Sequence, residues 1–233
     1  RGHWFDSSID HSKTYKMKKN INIIFPDGTT KNFPVGITGN EIAFSISPSL
    51  AKQSVLVEIN DELSDLELPI LTDSKINIIK KNDDKALDVI RHDCAHIMAE
   101  AVQEIFPNTQ VTIGPSIENG FYYDFAKDKP FTLDDLSEIE KKMHDIIKKG
   151  EKFSREVWKR KDAINHFNSI GENYKAQIIK DLPKNEEIII YKQGDWLDLC
   201  KGPHLPNTGA IGDAFKLMKV AGAYWKGDES NEM

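Results

Sequence analysis

Residues 85–106 read KALDVIRHDCAHIMAEAVQEIF. Leu87, Ile90, Cys94, Ile97, Met98, Ala101 and Ile105 recur at helical spacing, and Pro107-Asn108 supplies a stop. At about 100° per residue, His92 and His96 fall about 40° apart, nearly opposite the stripe of Ile90, Cys94, Ile97 and Ala101. The two imidazoles therefore line a second surface, either solvent or a cleft. One such pair by itself reads most simply as surface histidines. Cys94 shares the apolar face and is expected to be a small buried thiol.

Toward the N-terminus, the polar run Lys80-Lys81-Asn82-Asp83-Asp84 marks a boundary. Before it the pattern is short strands. Ile21, Ile23 and Phe25 alternate, Asp27-Gly28 is a hairpin turn signal, and Lys31 to Pro34 returns. A short helical piece from Gly39 to Phe44 follows, limited by Pro48. Val55, Val57 and Ile59 alternate again, Asn60-Asp61 turns, and Ile76 to Ile79 forms a last strand. Strand, strand, helix, strand, strand over some 65 residues reads as a ubiquitin-like β-grasp. Residues 58–68 hold Glu58, Asp61, Glu62, Asp65 and Glu67 with no basic residue, which reads as a solvated acidic edge. Residues 1–16 show neither period and read as a tag remnant or a frayed terminus, so His3 and His11 carry no site. The division is then 1–16, a β-grasp unit over 17–81, and a larger α+β unit over 82–233.

Toward the C-terminus, strands are expected at 111–113 and 121–125, then a helix from Thr132 with Asp135 as its capping-box acid and Gly150 as its stop. A strand follows at 153–158, helices near 162–170 and 172–180, and strands at 187–191, 196–199 and 214–220. Near the end stands Asp195-Trp196-Leu197-Asp198-Leu199-Cys200-Lys201-Gly202-Pro203-His204. Its Gly-Pro turn brings His204 back toward Cys200. His92, His96, Cys200 and His204 together form a set able to bind Zn²⁺ tetrahedrally, and equally able to serve a metal-free hydrolytic pocket. The HExxH pattern, the phosphate loop and GxGxxG are all missing from the sequence. Tyr122 and Tyr123 should face opposite sides if they lie on a strand. Residues 141–161 set nine basic against three acidic side chains. A solvated helix face accounts for part of that balance, and contact with a phosphate backbone would account for its sign.

Composition narrows the classes. The chain has 233 residues, a formal net charge of −6, 39% hydrophobic and 29% charged residues. That supports a packed core in one large or two small domains and excludes a uniformly basic nucleic-acid binder. No stretch approaches the ~20 apolar residues of a membrane span. Two cysteines cannot make a disulfide scaffold. The N-terminus shows no apolar signal core, so a reducing cytoplasm is the expected setting.

Several motifs in order carry a resemblance: FPDGTTKNFPVGITGNEIA, HDCAH, IGPSIENGFYYDF, GENYKAQII, DLCKGPH and FKLMKVAGAYWKGDESNEM. Over about residues 18–233 the chain resembles the N-terminal part of bacterial-type threonyl-tRNA synthetases. The resemblance implies a TGS domain, which is a β-grasp, followed by an editing domain of the second-additional-domain type shared with alanyl-tRNA synthetases. It implies hydrolysis of serine wrongly attached to threonine tRNA. The family's synthetic core, with ATP, magnesium and its own zinc, is expected to follow Met233. By the same resemblance His92, His96, Lys175, Asp198, Cys200 and His204 are catalytic candidates. Tyr122, with Tyr123 second, is the candidate for meeting the terminal adenosine. Without the resemblance, Lys175 and Asp198 read as a surface lysine and a strand-edge acid. Editing is expected to need no metal, although zinc on the four-residue set stays possible. The parent is expected to dimerise through its core and this piece to be a monomer. A non-catalytic tRNA-binding module and a zinc-stabilised structural domain are the other readings.

Overall fold

The computed structural model describes residues 19–225. Residues 1–16, with His3 and His11, lie outside the described residues, as does the end of the last motif.

The front unit builds from its hairpin. β1 (Asn20–Ile24) pairs antiparallel with β2 (Thr30–Pro34), and Gly28 makes the turn with φ 81°. Alternation along β1 turns Ile21 and Ile23 inward, leaving them 1% and 0% exposed. β3 (Ile37–Thr38) leads into α1 (Gly39–Ile46), whose capping box joins Thr38 and Glu41. Pro48 does limit this helix, but Ser47 and Pro48 then start a second one, α2 (Pro48–Gln53), that the sequence reading missed. Serine at an N-cap followed by proline in the first turn is itself a helix start signal. β4 (Ser54–Ile59) and β5 (Glu62–Asp65) form a hairpin through Asn60 and Asp61, both at positive φ. β6 (Pro69–Ile70) pairs with β3, and β7 (Ser74–Lys80) enters the sheet centre. The five-stranded order is β2-β1-β7-β4-β5, with β1 and β7 parallel, which is a β-grasp sheet. Ile42 of α1 packs with Ile21, Ile23, Val57 and Ile76 on one face. Each such side chain contributes about 1.5–3 kcal/mol by leaving water.

The other face of that sheet is covered over β4 and β7 and left to solvent at Asn20 and Asn22 of β1. Val55, Leu56 and Ile79 share a second core with α3 (Asp84–Ile105) through Ala86, Val89, Cys94, Ile97 and Ala101. α3 is therefore gripped along most of the predicted stripe and Cys94 is buried as expected, but Leu87 is 45% exposed and Ala86 and Val89 are buried in the first turns instead.

After α3 the chain makes two short ladders. β8 (Gln110–Val111) pairs with β11 (Phe125–Ala126), and β9 (Ser116–Ile117) with β10 (Gly120–Phe121). The strands expected at 111–113 and 121–125 shrink to these pairs because the chain turns between them. α4 (Leu133–Lys149) begins at the Thr132–Asp135 capping box and ends at Gly150 in the left-handed region. Its Met143, Ile146 and Ile147 complete the α3 core.

A three-stranded antiparallel sheet has the order β12 (Phe153–Trp158), β13 (Ile188–Gln193), β14 (Trp196–Leu199). α5 (Arg160–Ser169) and α6 (Asn173–Asp181) cover it through Phe167, Ala176 and Ile179.

Residues 214–220 form no strand. Their alternation reflects docking on α4: Phe215 and Leu217 pack on the core, while the Leu217 N–H donates to Glu140.

Part of the basic run is a solvated face, with Lys141, Lys148, Lys152, Lys159 and Lys161 exposed, and part is paired within the chain. Lys142 and Lys149 both pair with Glu104, and Arg155 pairs with Glu187. The Arg160 guanidinium caps carbonyls at the end of α6 and in the turn beyond it, including those of Leu182 and Pro183.

Among the described residues no helix is long and apolar enough to cross a membrane.

Candidate functional site

α3 brings three side chains to one place. His92 and His96, one turn apart, meet edge to face with ring centroids 4.7 Å apart. They face a cleft and not solvent, and His96 is only 3% exposed. Asp93, between them, is fully buried. It accepts from His204 Nδ1 at 2.6 Å and from the Leu205 N–H at 3.0 Å. β14 ends one residue before Cys200, and the turn through cis Gly202-Pro203 returns His204 to it. Cys200 Sγ lies 3.0 Å from His92 Nε2 and 3.3 Å from His204 Nε2. The His96 and His204 rings are 4.6 Å apart. Four residues from two distant segments thus converge.

A second constellation forms the adjoining wall. Lys175 of α6 and Asp198 of β14 are 3% and 2% exposed. Lys175 Nζ sits 2.7 Å from Asp198 Oδ1 and donates to the Tyr123 hydroxyl at 3.0 Å. The Tyr123 hydroxyl donates to Asp198 Oδ2 at 2.7 Å, closing a triangle. The surface readings of Lys175 and Asp198 are therefore wrong. A Cβ on Gly114 would come within 2.1 Å of the Tyr123 ring, so glycine is required for this approach. Tyr122, the preferred aromatic, is 43% exposed and stands outside the cleft lining, which takes in Tyr123 instead.

The cleft between these walls has a volume of about 350 Å³. A wider groove of about 910 Å³ lies between residues 51–55 and 206–210, and its lining holds neither histidine nor cysteine.

Electrostatics divides the titratable groups. Burial pushes the Cys200 thiol up, but His96 and hydrogen bonds from His204, His92 and His96 outweigh it and hold the thiol well below its usual range. Burial favours neutral His204, yet the Asp93 carboxylate overrides this and raises it to about 10. Asp93 thus holds the His204 imidazole whose Nε2 faces Cys200 Sγ. Burial lowers His96. Burial raises Tyr123, so its phenol stays a proton donor.

His92, His96, Cys200 and His204 place their ligand atoms within 4.8 Å of one another. The donor set suits Zn²⁺, and the His204–Asp93 bond is the kind of contact that orients a metal-bound imidazole. These four residues can hold such an ion.

The sequence reading missed four residues. Asp93 lies inside HDCAH but was given no role. Phe153 stacks on His204 at 4.8 Å, and Tyr191 lies 4.2 Å from the same ring. Asp65 belongs to the supposedly solvated edge, yet it accepts from the His204 N–H and the Tyr191 hydroxyl, both at 2.8 Å. Only the Asp93 signal was local: an acid between two histidines on a helix shares their buried side.

A β-grasp unit followed by an α+β unit with a histidine–cysteine cleft agrees with the domains that two family models match, the second of them a synthetase accessory domain. The family model described as the TGS domain matches residues 21–80. The one described as the threonyl and alanyl tRNA synthetase second additional domain matches residues 188–233. The chain is 58% identical over 213 residues to the threonine–tRNA ligase of Rickettsia bellii, covering 91% of this chain and 34% of that protein. It is 55% identical over 217 residues to that of Rhizobium rhizogenes, covering 93% and 33%. Against that of Phenylobacterium zucineum it is 56% identical over 211 residues, covering 91% and 32%. These matches support an N-terminal fragment of a threonyl-tRNA synthetase, and the chain spans about a third of the length of these relatives.

Proposed function

We propose that the cleft hydrolyses serine from mischarged threonine tRNA. The observation that carries this reading is the convergence of His92, His96 and Cys200, backed by the buried His204, beside the Lys175–Asp198–Tyr123 triangle on one cleft. A synthetic site selecting threonine cannot strongly reject serine, since one methyl is worth only ~1–3 kcal/mol. A second cleft too tight for that methyl supplies the missing discrimination.

Water attacks the carbonyl carbon of the aminoacyl ester. The bond from that carbon to the ribose oxygen breaks, and the ribose oxygen takes up a proton. The products are serine and tRNA with a free terminal hydroxyl. His92, half-buried at the cleft wall, positions or deprotonates the water, together with the ribose hydroxyl. Cys200, His96 and His204 shape the seryl pocket. Lys175 stabilises charge developing on the ester oxygen. Asp198 holds Lys175 and does not orient a histidine; Asp93 does that for His204. The exposed Tyr122, whose N–H bonds Pro115 at the rim, stacks on the terminal adenosine. A zinc ion held by three of the four residues would leave its fourth position to an acidified water, whereas one held by all four would be a closed structural site. The setting is cytoplasmic, threonine tRNA is the partner, and the fragment is a monomer whose ATP-using parent dimerises elsewhere.

The test measures release of serine and of threonine from threonine tRNA by this chain, with and without a strong chelator, beside His92→Ala/His96→Ala. Chelator-resistant loss of serine only, abolished in the variant, is the expected result. A folded, tRNA-bound chain without hydrolysis would make this a recognition module. Unfolding on chelation would make it a zinc-stabilised domain.

A further inference from the structure

Residues 58–68 carry five acids and no base, and such a run ordinarily stays in water. Asp65, the last residue of β5, does not. Its Oδ1 accepts the backbone N–H of His204, and its Oδ2 accepts the Tyr191 hydroxyl. The partners lie 139 and 126 residues away in sequence, in the other unit.

These two bonds grip one object. The Tyr191 ring packs on the His204 imidazole. The Tyr191 hydroxyl fills the space beside Gly202, where a Cβ would lie 2.4 Å from it. Gly202, at φ 73°, donates its N–H to Cys200 Sγ at 3.3 Å. Asp65 thus holds the Cys200–His204 turn by its backbone and also through a ring packed against it. The far end of the same imidazole is held by Asp93. Two carboxylates, one from each unit, fix His204 from its main chain and from its side chain.

We propose that Asp65 is a positioning residue for the hydrolytic cleft, through which the β-grasp unit sets the turn carrying Cys200 and His204. The inference rests on the deacylase reading above. Asp65 touches neither substrate nor reacting atoms and acts through His204. Docking of the β-grasp unit is then a condition of hydrolysis and not only of stability. A misplacement of about 1 Å in a catalytic group costs roughly 100-fold in rate.

The experiment uses the full chain with Asp65→Ala, Asp65→Asn, Tyr191→Phe and the Asp65→Ala/Tyr191→Phe double variant. Single-turnover hydrolysis of seryl-tRNA gives a rate constant and a half-saturating concentration. Amide hydrogen exchange at His204 is followed by NMR. Asp65→Ala is expected to lower the rate constant about 10–100-fold while half-saturation is unchanged. Asp65→Asn keeps an oxygen for the His204 N–H and is expected to retain most of the rate. Tyr191→Phe should lose a few-fold, and should cost nothing further on Asp65→Ala, because both act through one contact.

Equal losses in the Asn and Ala variants, or a change confined to half-saturation, would overturn the proposal. So would a folded Asp65→Ala chain with unaltered rate and His204 exchange. If Asp65→Ala does not fold, Asp65→Asn and Tyr191→Phe still decide by the same ordering. If the unsubstituted chain fails to hydrolyse, the deacylase reading falls by itself. Faster His204 exchange in the Asp65 and Tyr191 variants would still support the positioning, and unaltered exchange would sink it.

Discussion

At the scale of single residues, the cleft is built from charges that neutralise one another. Lys175 and Asp198 are both nearly inaccessible, and burying either one unpaired would be costly. Asp198 satisfies Lys175, the Tyr123 hydroxyl and the Leu199 N–H together. Lys175→Met strands the carboxylate and is expected to cost about 3–5 kcal/mol of stability in urea unfolding. The Lys175→Met/Asp198→Leu pair should cost clearly less, since no buried charge is left without its partner. A loss in the double variant equal to or above that of the single one would show that Asp198 is not held by Lys175. The same logic explains Asp93. Its negative charge raises His204, and His204 in turn helps hold the Cys200 thiol below its usual range.

At the scale of elements, α3 does two jobs with opposite faces. Its apolar stripe fixes it to the β-grasp sheet and α4, and its other side presents His92 and His96. The orientation of the histidines is thus set by packing they take no part in. α4 is tied to that packing by Met143, Ile146 and Ile147, and its first turn by the Thr132–Asp135 capping box. Thr132→Ala removes the cap and is expected to lower stability by about 0.5–2 kcal/mol, read as a lower melting temperature. Hydrolysis per folded molecule should not change, because the cap is remote from the cleft. A drop in activity without a drop in stability would mean that α4 does more than brace α3.

At the scale of the molecule, one hydrophobic cluster spans both units, beside a separate one inside the β-grasp unit. Val55, Leu56 and Ile79 of the β-grasp sheet pack with α3, α4, Leu205 and Ile211. A buried polar contact crosses from α3 to the three-stranded sheet, where Gln193 donates to Glu100 at 2.5 Å. Burial pushes the Glu100 carboxyl up to about 7, against the hydrogen bond from Gln193. A carboxyl raised on folding favours the folded state while protonated. Its contribution is full below about 4.5 and is lost as pH rises through about 7. Glu100→Gln keeps an acceptor for Gln193 and removes the charge. The melting temperature of this variant should therefore gain on that of the unsubstituted chain as pH rises across that window. Parallel melting curves over the same window would show that Glu100 is not buried as the fold places it.

By itself the sequence determined the elements whose periods are local. The α3 stripe, the Thr132–Gly150 helix with its cap and stop, and the strands at 153–158 and 196–199 are all written in spacing of three to four or of two. It also determined the membership of the cleft as a set of residue types, through HDCAH and the Cys200–His204 turn. The two-residue ladders and the helix at Pro48 were less legible, because runs so short carry no full period. Only the tertiary structure decided which polar groups are buried. Lys175, Asp198, Asp65 and Tyr191 lie in segments whose local pattern is that of a surface or an ordinary strand. Their partners stand 23 to 139 residues away. Burial is a property of what the rest of the chain brings alongside, and no window of sequence holds both sides of such a contact.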